Sequence, residues 1–431
     1  MKSVAGYLVT FLLLSAVWMS SDLVQAMGIQ RALIFDAGST GTRVYIFEYD
    51  FPKGSVVPRV YSPDRILKTD LDPKGSSWSY SIKPGIHTLV NNRKKIDEYL
   101  NKIMTFVLGK IPDFKENQPR MQMFFNATAG VRSLSKKDQK SLVDDVAHFF
   151  KKLGMKDKRT EVLDGSREGI YSWITINTLL GNINLQKGEF STVGVLDMGG
   201  YSTQVTFVPL ELSGKNIIRV SLGSLVYELY TNSFDGFGVR TAIEALSSPD
   251  CFNQDIDKKL VDGLVKDFDG VPSGNYQDCK LAIQKRLFDQ CSKNQRYCSL
   301  KNAEVPRIWG KFFAISGFAF LDRIFRFSRF SSESIDKLGA HICQQKWTDL
   351  VESYKDRDKP EFLATSCFEM AYYSSFLSGE YHLPGSRNSG VGFGSDTENI
   401  IPVVEIQGIS VTSWALGAAV FEIMDGKITH L

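Results

Sequence analysis

Ala32-Leu33-Ile34-Phe35-Asp36-Ala37-Gly38-Ser39-Thr40-Gly41-Thr42-Arg43 decides the fold of this chain. Four apolar residues in a row read as a buried strand, and the Gly/Ser/Thr run after Asp36 reads as a tight turn. Val44, Ile46 and the aromatics around them resume an extended run, so residues 30–49 are expected to form a β-hairpin. The same order returns far down the chain. Val193-Gly194-Val195-Leu196-Asp197-Met198-Gly199-Gly200-Tyr201-Ser202-Thr203-Gln204-Val205-Thr206-Phe207 again runs apolar strand, Asp, Gly-rich turn with Ser-Thr, apolar strand. A repeat this distant predicts two similar lobes, because a solenoid repeats every ~20–50 residues.

Both turns suit phosphate chemistry. Glycine lets backbone N–H groups converge on an anion with no side chain in the way. Ser and Thr hydroxyls add donors, and Arg43 offers a charge-assisted bond. Asp36 and Asp197, at the two strand ends, can hold a hydrated divalent cation, since Mg²⁺ keeps its waters and takes few carboxylates plus substrate phosphates. Facing each other, the loops would clamp a polyphosphate. Hydrolysis also needs a base near the attacking water. Glu168, at the start of a helix between the two loops, is the candidate; a carboxylate that merely favours a helix N-terminus is the plainer alternative.

Between these motifs the pattern is α/β. A helix is expected from about Ile86 to Leu108, then a strand at Met121–Phe125 leading into Asn126-Ala127-Thr128-Ala129-Gly130-Val131-Arg132. A second helix presents Leu142, Val143, Val146, Phe149 and Phe150, and Thr160–Leu163 is a strand. Ser166 is expected to cap the helix that begins near Glu168.

The bulk composition excludes several classes. At 431 residues, with 43% hydrophobic and 23% charged, the chain is an ordinary globular protein of two to three domains' length. A net charge of +3 argues against a nucleic-acid partner. Residues 1–26 resemble a signal peptide: one Lys, an apolar run from Tyr7 to Met19, and a small-residue site at Ala26. An uncleaved anchor is the alternative. No second long apolar run occurs, so no stable membrane span is expected after cleavage. Cys251, Cys279, Cys291, Cys298, Cys343 and Cys367 all lie in the second half. With a signal peptide, an even count favours disulfides, and sequential pairing is the favoured connectivity.

Five motifs in order then resemble the nucleoside triphosphate diphosphohydrolases, or apyrases. They are Asp36–Arg43 (DAGSTGTR), Ala127–Arg132 (ATAGVR), Glu168–Gly181 (EGIYSWITINTLLG), Leu196–Gln204 (LDMGGYSTQ) and Trp414–Ala418 (WALGA). The resemblance implies an actin-like, two-lobed α/β fold, each lobe RNase H-like with a mixed sheet and flanking helices. The lobes are expected at residues 28–164 plus 414–431, and at 165–413 with all the cysteines. It implies Ca²⁺- or Mg²⁺-dependent removal of terminal phosphates from nucleoside di- or triphosphates by direct attack of water. Glu168 becomes the base, with Ser202 and Gln204 placing the water. Asp36 and Asp197 hold the metal through its waters. Ser39, Thr40, Gly41, Thr42, Arg43, Thr128, Gly199 and Gly200 line the phosphates.

For the nucleobase the resemblance points to Tyr372, and to Phe318 and Phe320, which stand where the family usually has a Tyr pair. The segment Gly379-Glu380-Tyr381-His382 belongs to the same match. Asp235 stands where an apolar residue is common, and Tyr201 where a small one is usual. Cys251/Cys279 and Cys343/Cys367 look like the two disulfides of the soluble, secreted or ER/Golgi-lumenal branch, and Cys291/Cys298 is an extra pair. Asn126-Ala127-Thr128 is a glycosylation sequon inside a phosphate loop, and is expected to stay unmodified. The rival functions are an exopolyphosphatase of the same fold, a lumenal nucleotide-binding module with slow ATPase activity, and, more weakly, a sugar kinase.

Overall fold

The computed structural model describes residues 30–431 apart from 62–67, 75, 156–158, 213–214, 247, 266–267, 289–304, 307, 379–399, 408 and 412. The signal segment, the Cys291/Cys298 pair and the Gly379–His382 stretch lie outside the described residues.

The first hairpin forms as expected. β1 (Gln30–Ala37) and β2 (Thr42–Asp50) pair antiparallel, with Asp36 opposite Arg43 and Ala37 opposite Thr42. β3 (Arg59–Tyr61) and β4 (Ser79–Ile82) pair with β2, while β5 (Gln122–Ala127) and β6 (Arg159–Val162) extend the other side in parallel. The order is β3-β2-β1-β5-β6. Leu33, Ile34 and Phe35 are wholly buried because β1 is central and covered on both faces.

The second sheet repeats this scheme. β7 (Gly194–Met198), β8 (Ser202–Phe207) and β10 (Leu225–Asp235) are antiparallel neighbours, and β11 (Phe312–Ser316) and β12 (Ile400–Pro402) run parallel beyond β7. Strands β10-β8-β7-β11-β12 thus match β3-β2-β1-β5-β6 in order and direction, and β9 (Ile217–Leu222) adds to β10. Two such sheets make the RNase H-like pair of an actin-like fold. β13 (Glu405–Ile406) and β14 (Ile409–Ser410) form a separate ribbon.

Helices fill the layers: α1 (Arg93–Lys110), α2 (Ala129–Arg132), α3 (Lys136–Lys152), α4 (Gly165–Leu179), α5 (Val239–Ala245), α6 (Tyr276–Ile283), α7 (Gly317–Phe325), α8 (Ser332–Gln344), α9 (Ser366–Leu377) and α10 (Ala415–Ile423). Two helix starts differ from expectation. The run expected from Ile86 to Leu108 is a short 3₁₀ turn, Ile86–Leu89, followed by a new helix. Asn91 takes φ 63°, a conformation Asn tolerates, and the Asn92 side chain caps α1 by accepting from the Lys95 N–H. At α4 the cap is Asp164 rather than Ser166: the Ser166 N–H donates to Asp164 Oδ1 at 2.9 Å.

α4 is buried on nearly every side, from Gly169 to Asn177, because it lies between the second sheet and α10. α10 packs on α4 and β1. The last strand, β15 (Lys427–His430), pairs with β9 of the second sheet. The expected return of 414–431 to the first lobe is therefore corrected for this strand. Ile428 lies opposite Val220, so the second sheet takes it as an edge. Cys251–Cys279 and Cys343–Cys367 are disulfide-bonded, both in the second lobe.

Candidate active site

Equivalent strand ends carry the two aspartates. Asp36 ends β1 and Asp197 ends β7, and the turns that follow face each other across one cavity of about 320 Å³. A methyl group added to Gly200 would sit 3.4 Å from Ser39 Oγ and 3.8 Å from Thr40 Cγ2, so the loops nearly touch. The cavity is lined by Asp36, Ser39, Thr40, Arg43 and Thr128 from the first lobe and by Asp197, Gly199, Gly200, Tyr201 and Ser202 from the second. Glu168 lies in its wall.

Gly41 and Thr42 do not line it. A Cβ at Gly41 would lie 2.6 Å from the Ile82 carbonyl, so this glycine serves close approach to β4. Thr42 is buried, and its N–H donates to Tyr99 Oη. Both residues seat the loop rather than face the substrate. Gln204 is likewise buried, one layer beneath Ser202.

Both aspartates are held by hydroxyls. Ser172 Oγ and Ser316 Oγ donate to the two Asp197 oxygens, each at 2.7 Å. Ser413 Oγ donates to Asp36 Oδ2 at 3.3 Å, and Arg43 Nη1 lies 3.7 Å from the same oxygen. Ser316 takes φ 58°, an uncommon value for a residue with a Cβ, at the junction of β11 and α7. Burial pushes both aspartates above the usual carboxylate range, against those bonds and against Arg43 at Asp36; Asp197 raises Asp36 further. Two buried like charges facing one cavity invite a cation.

Glu168 sits in the first turn of α4, and its side chain is 13% exposed. Arg132 Nη1 donates to Glu168 Oε2 at 3.0 Å. Burial still raises the Glu168 carboxyl to about 7; the Arg132 charge opposes this, and Asp197 and Asp36 add to it. A helix N-terminus is worth only about 0.3–1 kcal/mol, too little to cancel burial on this scale. A carboxylate poised near neutrality is what a general base requires.

The nucleobase expectations divide. Tyr372 is fully buried, stacks on Phe368, and donates its hydroxyl to the Phe237 carbonyl at 2.7 Å. Phe318 is fully buried against Tyr373 and Phe376. Both are core residues, set by the inward faces of α9 and α7. Phe320, two positions along α7, is 41% exposed and lines the cavity, with the Arg323 guanidinium 5.4 Å from its ring. Asp235 is ion-paired to Arg132 at 3.1 Å. Asn126 is buried where β5 pairs beside Asp36.

The sequence does not mark the hydroxyls of Ser172, Ser316 and Ser413 as holders of the aspartates, nor the role of Arg132; Trp414, which opens the WALGA motif, also lines the cavity. Ser172 had a signal, since it lies four residues after Glu168 and so on the same helix face. Nothing in the sequence announces the φ of Ser316.

Comparison with known proteins identifies the family. A match to the GDA1/CD39 (nucleoside phosphatase) family covers residues 25–428, and the chain belongs to that family. It is thus a hydrolase of phosphoanhydride bonds in nucleoside phosphates, of a family that depends on divalent cations in general. It is 26% identical over 443 residues to probable apyrase 5 of Arabidopsis thaliana, spanning 94% of this chain and 84% of that one. It is 26% identical over 415 residues to ectonucleoside triphosphate diphosphohydrolase 1 of Mus musculus, spanning 85% and 78%. A solved structure of nucleoside triphosphate hydrolases from Neospora caninum shares the fold, with a TM-score of 0.58, 12% identity and 97% of each chain covered. Among the described residues, no helix is long and apolar enough to cross a membrane.

Proposed function

We propose that this chain removes the terminal phosphate of nucleoside di- and triphosphates, down to the monophosphate, by direct attack of a water that Glu168 deprotonates. One observation carries the reading: Glu168, raised to about 7, stands in the wall of a cavity whose two sides are the matching loops after Asp36 and Asp197. Ser39, Thr40, Arg43 and Thr128 bind the phosphates from one side, and Gly199 and Gly200 from the other. Glu168 takes the proton, Ser202 orients the water, and Gln204 acts through Ser202, to whose Oγ it donates. Phe320 offers an apolar face for the nucleobase at the cavity mouth.

Asp36 and Asp197 would hold Ca²⁺ or Mg²⁺ through its waters. The donors fit such a cation. They are hard oxygens, and among the described residues no group of three or more His, Cys, Asp and Glu forms an all-protein cage. When bound, the cation offsets negative charge on the transferred phosphoryl group. Disulfides in the second lobe and the signal-like start favour secretion or the ER/Golgi lumen.

A phosphate-release panel tests the assignment. UDP, GDP, ADP and ATP are expected to yield orthophosphate with Ca²⁺ or Mg²⁺, to stop yielding it with chelator, and inorganic polyphosphate to be inert. Release from polyphosphate but not from nucleotides would favour the exopolyphosphatase alternative.

A further inference from the structure

We propose that Asp235 is a positioning residue that sets the direction of the hydrogen bonds around the attacking water. The inference rests on the water-orienting roles given above to Ser202 and Gln204. Strand register brings the residues together. On adjacent strands, Asp235 of β10 lies opposite Ser202 of β8, and Ser233 lies opposite Gln204. Alternate residues of a strand share a face, so these four side chains form one cross-strand square.

The square closes into a ring through Arg132, which reaches in from the first lobe. Arg132 Nη2 donates to Asp235 Oδ1 at 3.1 Å and to Ser202 Oγ at 3.4 Å. Ser233 Oγ donates to Asp235 Oδ1 at 3.0 Å. Gln204 Nε2 donates to Ser233 Oγ and to Ser202 Oγ, each at 2.9 Å. The other nitrogen of Arg132 holds Glu168.

A carboxylate only accepts, and this fixes every proton in the ring. The single proton of Ser233 goes to Asp235, so Ser233 Oγ must accept from Gln204. Gln204 then presents its NH₂ to both serines. Ser202 Oγ accepts from Gln204 and from Arg132, which uses both lone pairs, so its own proton is left to give. A water that receives this proton's hydrogen bond and points a hydrogen at Glu168, both of which line the cavity, keeps a lone pair for phosphorus. An apolar residue at 235 would release Ser233 to donate back toward Gln204 and would scramble this order. The ion pair with Arg132 alone explains less. The Asp235 side chain is 56% exposed, where such pairs contribute little to stability.

Steady-state kinetics of the full chain on UDP, GDP and ADP with Mg²⁺ test the proposal. Asp235→Ala is expected to lower kcat by about 10–100-fold with KM within about twofold, the signature of misplaced reacting groups. Asp235→Asn, whose Oδ1 can accept the same two bonds, should stay within about threefold of wild type by the same reasoning. The Ser233→Ala, Asp235→Ala double variant should be no slower than Asp235→Ala, because one ring is broken once. Asp235→Ala at wild-type kcat, an effect confined to KM, or Asp235→Asn as slow as Asp235→Ala would overturn it. A wild-type chain that releases no phosphate from any of the three overturns instead the reading on which it rests.

Discussion

Glu168→Ala is expected to reduce multiple-turnover phosphate release by about 10²–10⁴-fold, the range associated with a positioned general base. Glu168→Gln should lose nearly as much, although its amide oxygen can still accept from Arg132. The loss reflects proton transfer and not folding, because the loops around Asp36 and Asp197 do not depend on this side chain for their hydrogen bonds. The pH dependence has a defined sign. A base works when deprotonated, and burial raises the Glu168 carboxyl to about 7. Activity should therefore rise with pH through an acid limb near or below 7, below because a cation beside Asp36 and Asp197 favours the ionised form. Either substitution should abolish that limb in the residual rate. Near wild-type turnover in Glu168→Ala would remove Glu168 from the chemistry.

The largest structural effect is expected at Gly417→Ala. A Cβ there would lie 1.8 Å from the Tyr171 carbonyl oxygen and 2.9 Å from the Thr175 N–H nitrogen. Gly417 is in the first turn of α10, and its own N–H donates to Thr175 Oγ1 at 2.8 Å, so α10 and α4 touch backbone to backbone. In an open helix Gly→Ala gains about 1 kcal/mol. Here the helices must separate, and overpacking of this degree costs about 3 kcal/mol or more. Because α4 carries Glu168, the shift also reaches the site. Gly188→Ala is the control. Nothing lies within 4 Å of its Cβ position, and its φ of −74° suits alanine. Its unfolding free energy from denaturant titration should be unchanged within about 0.5 kcal/mol, and that of Gly417→Ala should fall sharply.

The Gly417 contact also marks what the sequence can and cannot say. The motif Trp414–Ala418 stands out in the chain, yet its reason, a helix-to-helix approach, exists only across a separation of over 200 residues. By contrast, the doubled Asp-turn pattern was legible because each copy is local. A strand, an aspartate and a glycine turn are adjacent in sequence and adjacent in space. The same locality brings Ser39, Thr40, Arg43, Gly199, Gly200 and Ser202 to the lining of one cavity. Periodicity cannot distinguish a tyrosine facing the cleft from one facing the core on a helix buried all round, which is why Tyr372 belongs to the core; on α7, Phe318 points inward and Phe320 lines the cavity. Gly41 and Thr42 were misread because a loop has a back as well as a front. The hydroxyls on Asp197 come from α4 and β11, and no local rule joins those segments.

The central claim is that water attacks phosphorus directly between the two loops, with Glu168 as base and no covalent intermediate. The stereochemical course at the terminal phosphorus tests it most directly, using a nucleoside triphosphate analogue made chiral there with sulfur and oxygen isotopes. A single in-line displacement predicts inversion of configuration in the released thiophosphate. Retention would mean two displacements through a phosphorylated side chain, with Asp36 or Asp197 as the first suspects, and would contradict the account.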